Sequence, residues 1–308
     1  MEHWQLKQLQ GLPLEIKIQK SLLRIREWYE YFQGEVYVAF SGGKDSTVLL
    51  DLVRSLYPDV KAVFIDTGLE YPEIKEFVKT YKNIGILKPN LSFKQVLDKY
   101  GYPLVSKEVS ECVEGARKGQ TYRIVKFNKD NKSRYNVSKW KYLIDSNIKI
   151  SNKCCHVMKK APAHKFEKLT GLKSMTGMLA CESQLRTQKW LQQGCNSFNS
   201  KKQNSMPLAF WTEQDILQYL KQNNIPIAKV YGTIEKGLTN LYTTGVTRTG
   251  CMFCMFGCHL EKSPNRFQQM YHTYPQLWEY CINKLDLKTP LEFIGVDYKP
   301  SRQVRFNI

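Results

Sequence analysis

Apolar positions along the chain switch between two periods, and the switches predict alternating strands and helices. The run Val36-Tyr37-Val38-Ala39-Phe40 is β-branched and aromatic, which predicts a buried strand. Thr47, Val48, Leu49, Leu50, Leu52 and Val53 then give an apolar helical face that continues to Leu56 and stops at Pro58. Lys61-Ala62-Val63-Phe64-Ile65 predicts a second strand, Ile84-Gly85-Ile86-Leu87 a third and residues 175–179 a fourth, with a short further strand at Pro207-Leu208. Upstream, Ile16, Ile18, Leu22, Leu23, Ile25, Trp28, Tyr29 and Phe32 recur at helical spacing, and Gly34 ends that helix. The stretch from Gly101 to Lys107 opens a helix predicted to run to about Gly115, and another follows Thr212, a good N-cap with Glu213 and Asp215 after it. Strands alternating with helices predict an α/β fold around a parallel sheet of about five strands, with helices on both faces.

Between the first strand and its helix lies Ser41-Gly42-Gly43-Lys44-Asp45-Ser46. Glycines there let the backbone approach a ligand, and the free N–H groups of a first helical turn favour an anion. Lys44 adds a positive charge and the two serines add hydroxyl donors. Asp45 would repel a phosphate unless a divalent cation lay between them. Both Lys44 and Asp45 are expected to be solvent-accessible. The second strand leads into Asp66-Thr67-Gly68-Leu69-Glu70-Tyr71-Pro72-Glu73, and in an open parallel sheet that loop should face the first one.

The formal net charge is +18 and the pI about 9.4, which makes an anionic macromolecule a reasonable partner. Over residues 117–149, ten Lys and Arg face only Asp130 and Asp145, with Tyr122, Phe127, Tyr135, Trp140 and Tyr142 interleaved. Such a segment suits phosphate contacts and base stacking, and equally a solvated helical insertion whose aromatics form a small core. Nine cysteines with no signal-peptide pattern imply a reducing compartment, and no apolar run approaches membrane-spanning length. The expectation is a soluble, cytoplasmic protein.

Thiols concentrate in two places. Cys251, Cys254 and Cys258 come from one short Gly-flanked loop, a spacing that serves zinc or iron–sulfur. Cys154-Cys155 is followed after three residues by Lys159 and after two more by Pro162. Cys112, Cys181, Cys195 and Cys281 carry no spacing signal.

Ser41 to Ser46 resembles the pyrophosphate loop of the ATP pyrophosphatases, not the Walker loop, which has four residues between its glycine and Gly-Lys-Ser/Thr. The Asp66 loop and the Cys-Cys…Lys…Pro pattern resemble those of the phosphoadenosine-phosphosulfate (PAPS) reductase family and its iron–sulfur members. Gly177-Met178-Leu179-Ala180-Cys181-Glu182-Ser183-Gln184-Leu185-Arg186 is similar to that family's Gly-x-Arg-x-x-Glu-Ser-x-x-Arg, with Leu179 in place of the first arginine. The resemblance covers roughly residues 20–260. It implies a HUP/Rossmann-like domain at 35–228 with a basic insertion at 117–150, preceded by a helical segment at 1–34 and followed by a cysteine-rich lobe at 229–308.

The same resemblance implies that ATP and Mg²⁺ bind at Ser41, Gly42, Gly43, Lys44, Asp45, Ser46, Asp66, Thr67, Gly177 and Arg186. Lys44, Asp45 and Arg186 would be the catalytic residues. A 4Fe–4S cluster would sit on Cys155, Cys251, Cys254 and Cys258 with Cys154 in reserve, and zinc is the other metal for these ligands. Met252, Phe253, Met255 and Phe256 would shield it. The nucleophilic cysteine of the sulfonucleotide reductases lies in a C-terminal Glu-Cys-Gly-Leu-His, whereas this sequence ends Lys299-Pro300-Ser301-Arg302-Gln303-Val304-Arg305-Phe306-Asn307-Ile308. The function expected is therefore ATP-dependent sulfur transfer: an oxygen of DNA or tRNA is adenylated, and sulfur from a cysteine desulfurase or another donor displaces AMP. The other two readings are a PAPS or adenylyl sulfate reductase with a non-standard thiol, and a nucleotide- or nucleic-acid-binding module without turnover.

Overall fold

The computed structural model describes residues 2–130, 132–133, 136–200 and 202–299. In chain order the helices and strands begin α1 His3–Gln10, α2 Leu14–Tyr31, β1 Val36–Ala39, α3 Lys44–Leu56, β2 Ala62–Ile65, α4 Pro72–Lys79 and β3 Ile84–Leu87. Next come α5 Phe93–Tyr100, α6 Lys107–Arg117, α7 Thr121–Ile124, α8 Ala161–Thr170, β4 Lys173–Thr176, α9 Gln184–Gln193 and α10 Glu213–Gln222. The last are the hairpin β5 Ile234–Lys236 and β6 Leu241–Thr243, then α11 Arg266–Thr273, α12 Pro275–Glu279 and α13 Lys288–Phe293. These elements form two compact units, neither continuous in sequence. One comprises residues 2–66, 70–88 and 162–249, the other 67–69, 89–161 and 250–299.

The first unit is built on a four-stranded sheet of order β3-β2-β1-β4. All its pairs are parallel, with Val38 opposite Ala62, Ala62 opposite Ile84 and Val38 opposite Met175. β1 is central, and Val36, Tyr37 and Val38 are buried, as a strand covered on both faces requires. Trp28 and Ile25 of α2, Val48 to Leu50 of α3, and Trp211, Ile216 and Leu220 around α10 share one core with it. The chain moves from β1 to β2 to β3 on one side, then crosses to β4 on the other. The switch point therefore falls between β1 and β4, where a ligand crevice opens at the carboxyl ends of strands.

Two expectations about the sheet need correction. β4 covers residues 173–176, and ends where Gly177 packs on the β1 loop instead of running to Leu179. The expected strand at Pro207-Leu208 does not form, and pairing stops at Ser205, which bridges Met175 and Asn196. Pro207 has no N–H for a ladder, and residues 206–211 curl back, Ala209 N donating to Met206 O and Trp211 N to Leu208 O. The last residues of the sequence from Pro300 and the aromatic Tyr135 lie outside the described residues.

Candidate functional site

The loop after β1 is shaped by two glycines. Gly42 has φ +71°, and a Cβ there would come within 2.9 Å of Ile74 and Val78 of α4. Gly43 is the N-cap of α3 and supplies no capping side chain. The serines hold the loop together: Ser41 N donates to Ser46 Oγ at 3.2 Å, and Ser46 Oγ donates to Gly43 O at 2.8 Å. Thr47 Oγ1 donates to the same carbonyl at 3.1 Å. Lys44 N donates to Tyr231 Oη at 3.3 Å, whereas the N–H groups of Asp45 and Ser46 have no carbonyl to meet inside the helix.

Lys44 is buried, with a side chain only 6% exposed, contrary to the accessible lysine expected from the sequence. Tyr231, Thr247 and Glu213 close around it. Its Nζ donates to Thr247 O at 3.2 Å and lies 3.2 Å from Glu213 Oε1 and 3.5 Å from Asp45 Oδ1. Burial alone would lower its pKa, but Asp45 and Glu213 outweigh burial and raise it. Asp45 is held above the ordinary carboxylate value by burial, against the pull of Lys44. Its Oδ1 is buried without a hydrogen-bond partner among the described residues. Lys44 Nζ faces that oxygen at 3.5 Å, and an acceptor without a hydrogen bond has the chemistry of a cation ligand.

The loop after β4 meets the loop after β1 directly. A Cβ on Gly177 would lie 2.7 Å from Asp45 O, so only glycine allows this approach. Beyond it, Leu179 is buried in the core, and its N–H donates to Glu182 Oε2 at 3.3 Å. Arg186, at the start of α9, is ion-paired with Glu182, and burial followed by the nearby charge of Arg248 lowers its pKa. Arg248 approaches the other oxygen of Glu182 at 3.9 Å. Asp66 pairs with Lys75 of α4 at 2.8 Å, while Thr67 belongs to the second unit, its Oγ1 accepting from Leu69 N at 3.2 Å. Glu213, Tyr231, Thr247 and Arg248 were not singled out as site residues in the sequence. Glu213 had a signal only as a first-turn acid, and the other three had none.

In the second unit Cys154, Cys155, Cys251, Cys254 and Cys258 are in no disulfide among the described residues. Cys154 Sγ donates to Cys155 Sγ at 4.0 Å, which depresses the pKa of Cys155 with help from Lys107, Lys159 and Lys160. The pKa of Cys154 is driven up by the same bond and by burial. Cys258 donates to Met255 O at 3.0 Å, and burial pushes it up to about 12. Met252, Phe253 and Met255 are buried around this loop. Among the described residues, no three His, Cys, Asp or Glu side chains converge as a metal-ligand group.

Much of the positive charge of the insertion is used inside the unit. Arg117 donates to the carbonyls of Leu143, Ile144, Ser146 and Ile148 and so ties down the segment around 138–148. Lys118 pairs with Glu114, Arg123 with Glu111 and Glu108, and Lys126 with Glu108. Phe127 is buried, Trp140 meets His259 edge to face, and Tyr142 packs near Phe293. Lys129, Lys132, Lys139 and Lys141 are exposed, as is Tyr122.

A parallel α/β sheet with an anion-shaped loop at its switch point defines the class: a nucleotide-binding α/β domain. The Phosphoadenosine phosphosulfate reductase domain family matches residues 35–112 and 107–256, and the chain belongs to it. Among its relatives, an uncharacterized protein of Methanocaldococcus jannaschii is 27% identical over 270 residues, 85% of this chain and 43% of that protein. A second from the same organism is 25% identical, over 86% of this chain and 52% of its own length. The chain thus spans about half the length of these curated relatives. An adenosine 5'-phosphosulfate reductase of Lysinibacillus sphaericus is 25% identical, over 76% of this chain and 80% of that enzyme. Among solved structures, the phosphoadenylyl-sulfate reductase of Candida auris in its phosphate complex aligns with TM-score 0.41 and 17% identity, covering 78% of this chain and 98% of that one. Among the described residues, no helix is long and apolar enough to cross a membrane.

Proposed function

We propose that the chain is an enzyme of sulfonucleotide chemistry, acting on an adenine nucleotide whose α-phosphate carries a sulfate. The observation that supports this, in a chain of this family, is the meeting of two loops at the β1/β4 switch point, where Gly177 packs on Asp45 and Arg186 feels the charge of Asp45, the neighbour of Lys44. The α-phosphate would lie on the N–H groups of Asp45 and Ser46, with Lys44 as the fixed charge and Arg186 turning from Glu182 toward the ligand. Reduction of adenylyl sulfate to AMP and sulfite takes two electrons, which a dithiol supplies as it becomes a disulfide. The sulfonate would pass through one of this chain's own cysteines, a thiol outside the usual reductase motif. The test is to supply adenylyl sulfate or phosphoadenylyl sulfate with a dithiol protein and measure sulfite. Sulfite formed in step with AMP or its 3'-phosphate supports the reading, and unaltered nucleotide ends it.

A second reading, ATP-dependent sulfur transfer to DNA or tRNA, is favoured by the exposure of Lys129, Lys132, Lys139 and Lys141 and of Tyr122 in one insertion. In that case Asp45 would hold Mg²⁺ with ATP, and a cysteine desulfurase or other donor would bring sulfur. A 4Fe–4S cluster or zinc would be carried by Cys155, Cys251, Cys254 and Cys258. Release of AMP and pyrophosphate from ATP, with iron, sulfide and zinc measured per chain, separates this reading from the first.

A further inference from the structure

Thr247-Arg248-Thr249 is pinned to the Lys44 loop on both sides of its middle residue. Thr247 O accepts from Lys44 Nζ at 3.2 Å. Thr249 Oγ1 shares a 2.7 Å hydrogen bond with Tyr231 Oη, the same oxygen that accepts from Lys44 N. The backbone at Arg248 is therefore fixed beside the loop, while its side chain is 61% exposed. Its guanidinium stands 3.9 Å from Glu182 Oε1, beyond hydrogen-bond reach, and makes no hydrogen bond among the described residues. The other oxygen of Glu182 is already paired with Arg186. Two guanidiniums share one carboxylate, and they repel each other unless a further anion comes between them.

We propose that Arg248 is a specificity-determining residue: with Arg186 it takes the terminal sulfate of a sulfonucleotide, while the Lys44 loop holds the α-phosphate. This rests on the reading of the site given above. A tetrahedral oxyanion offers oxygens to two planar forks at once, and one of these forks is preplaced by its pinned backbone. AMP has no second anion to reach Arg248, so the residue separates adenylyl sulfate from AMP.

Isothermal titration of the full chain with AMP and with adenylyl sulfate, at one ionic strength, tests this in wild type, Arg248→Ala and Arg248→Lys. Arg248→Ala should weaken adenylyl sulfate binding about tenfold, as expected for removing one charge-assisted hydrogen bond, and leave AMP within about twofold. Arg248→Lys should recover only part of that affinity, because a point charge lacks the fork. Circular dichroism checks that each variant is folded, and the AMP isotherm checks that its loop is intact. An unchanged ratio of the two affinities, whether both fall or neither does, overturns the role of Arg248 alone. A wild-type chain that binds neither nucleotide overturns the site reading, and the role of Arg248 with it.

Discussion

Lys44 Nζ lies 3.2 Å from Glu213 Oε1, an ion pair that joins the head of α3 to the first turn of α10. On the proposed reading of the site, Glu213 is a resident counter-ion that an incoming phosphate would displace. Its side chain is half-exposed, so the pair is partly screened by solvent. Glu213→Gln should tighten AMP binding by about two- to fivefold, as expected for removing a screened competitor. Titration calorimetry reads this directly, and weaker binding in the variant would sink the counter-ion role. Because the carboxylates raise the Lys44 pKa despite burial, Lys44 stays charged above the ordinary lysine range, and AMP affinity should hold up to about pH 9.

Asp45 carries a cost in stability. Its folded pKa is raised, chiefly by burial, so folding opposes its ionised form. The sign follows: relative to a neutral side chain, wild type loses stability as pH rises through the unfolded and then the raised folded pKa. Asp45→Asn should therefore melt higher than wild type at neutral pH. The gap should close in acid, below the ordinary aspartate value, where both side chains are neutral. The same variant should lose turnover, and a lower melting temperature at neutral pH would contradict the assignment.

The core of the first unit also contains a buried ion pair outside the loop. Lys17 Nζ of α2 meets Asp215 Oδ2 of α10 at 2.6 Å, and that oxygen also accepts from Thr212 N and Oγ1. Lys17→Met should destabilise the chain by about 3 kcal/mol, since it strands a buried carboxylate. Lys17→Met with Asp215→Leu should recover part of that stability in chemical denaturation. A double variant no better than the single would show that the pair is not what holds α2 to α10.

The insertion separates two kinds of basic residue. Neutralising Lys129, Lys132, Lys139 and Lys141 should flatten the salt dependence of duplex DNA binding, by about 0.9 log–log units for each phosphate that a lysine no longer neutralises. Arg117→Ala should instead loosen residues 138–148, because its guanidinium is bonded to their carbonyls. Hydrogen exchange over that segment reads the second effect. An unmoved salt slope after the lysine changes would leave the segment as a solvated insertion.

What the sequence determined by itself was local. Val36 to Phe40 reads as a buried strand, Gly42 and Gly43 as a tight turn, and the apolar face to Leu56 as a helix, because period and turn chemistry act over a few residues, and the structure has β1, the turn and α3 there. The cap at Thr212 was legible for the same reason, its side chain accepting from Asp215 N. The tertiary structure decided what closes over Lys44. Tyr231 and Thr247 reach it from 187 and 203 residues away, and contacts at such range leave no periodic trace. It also buried a lysine that the motif alone suggested would be open. It set Arg248 between Glu182 and the loop, and turned Arg117, Arg123 and Lys126 inward to carbonyls and glutamates. Charge is a property of composition, but whether a charge faces a ligand depends on which partners the fold brings within a few ångströms.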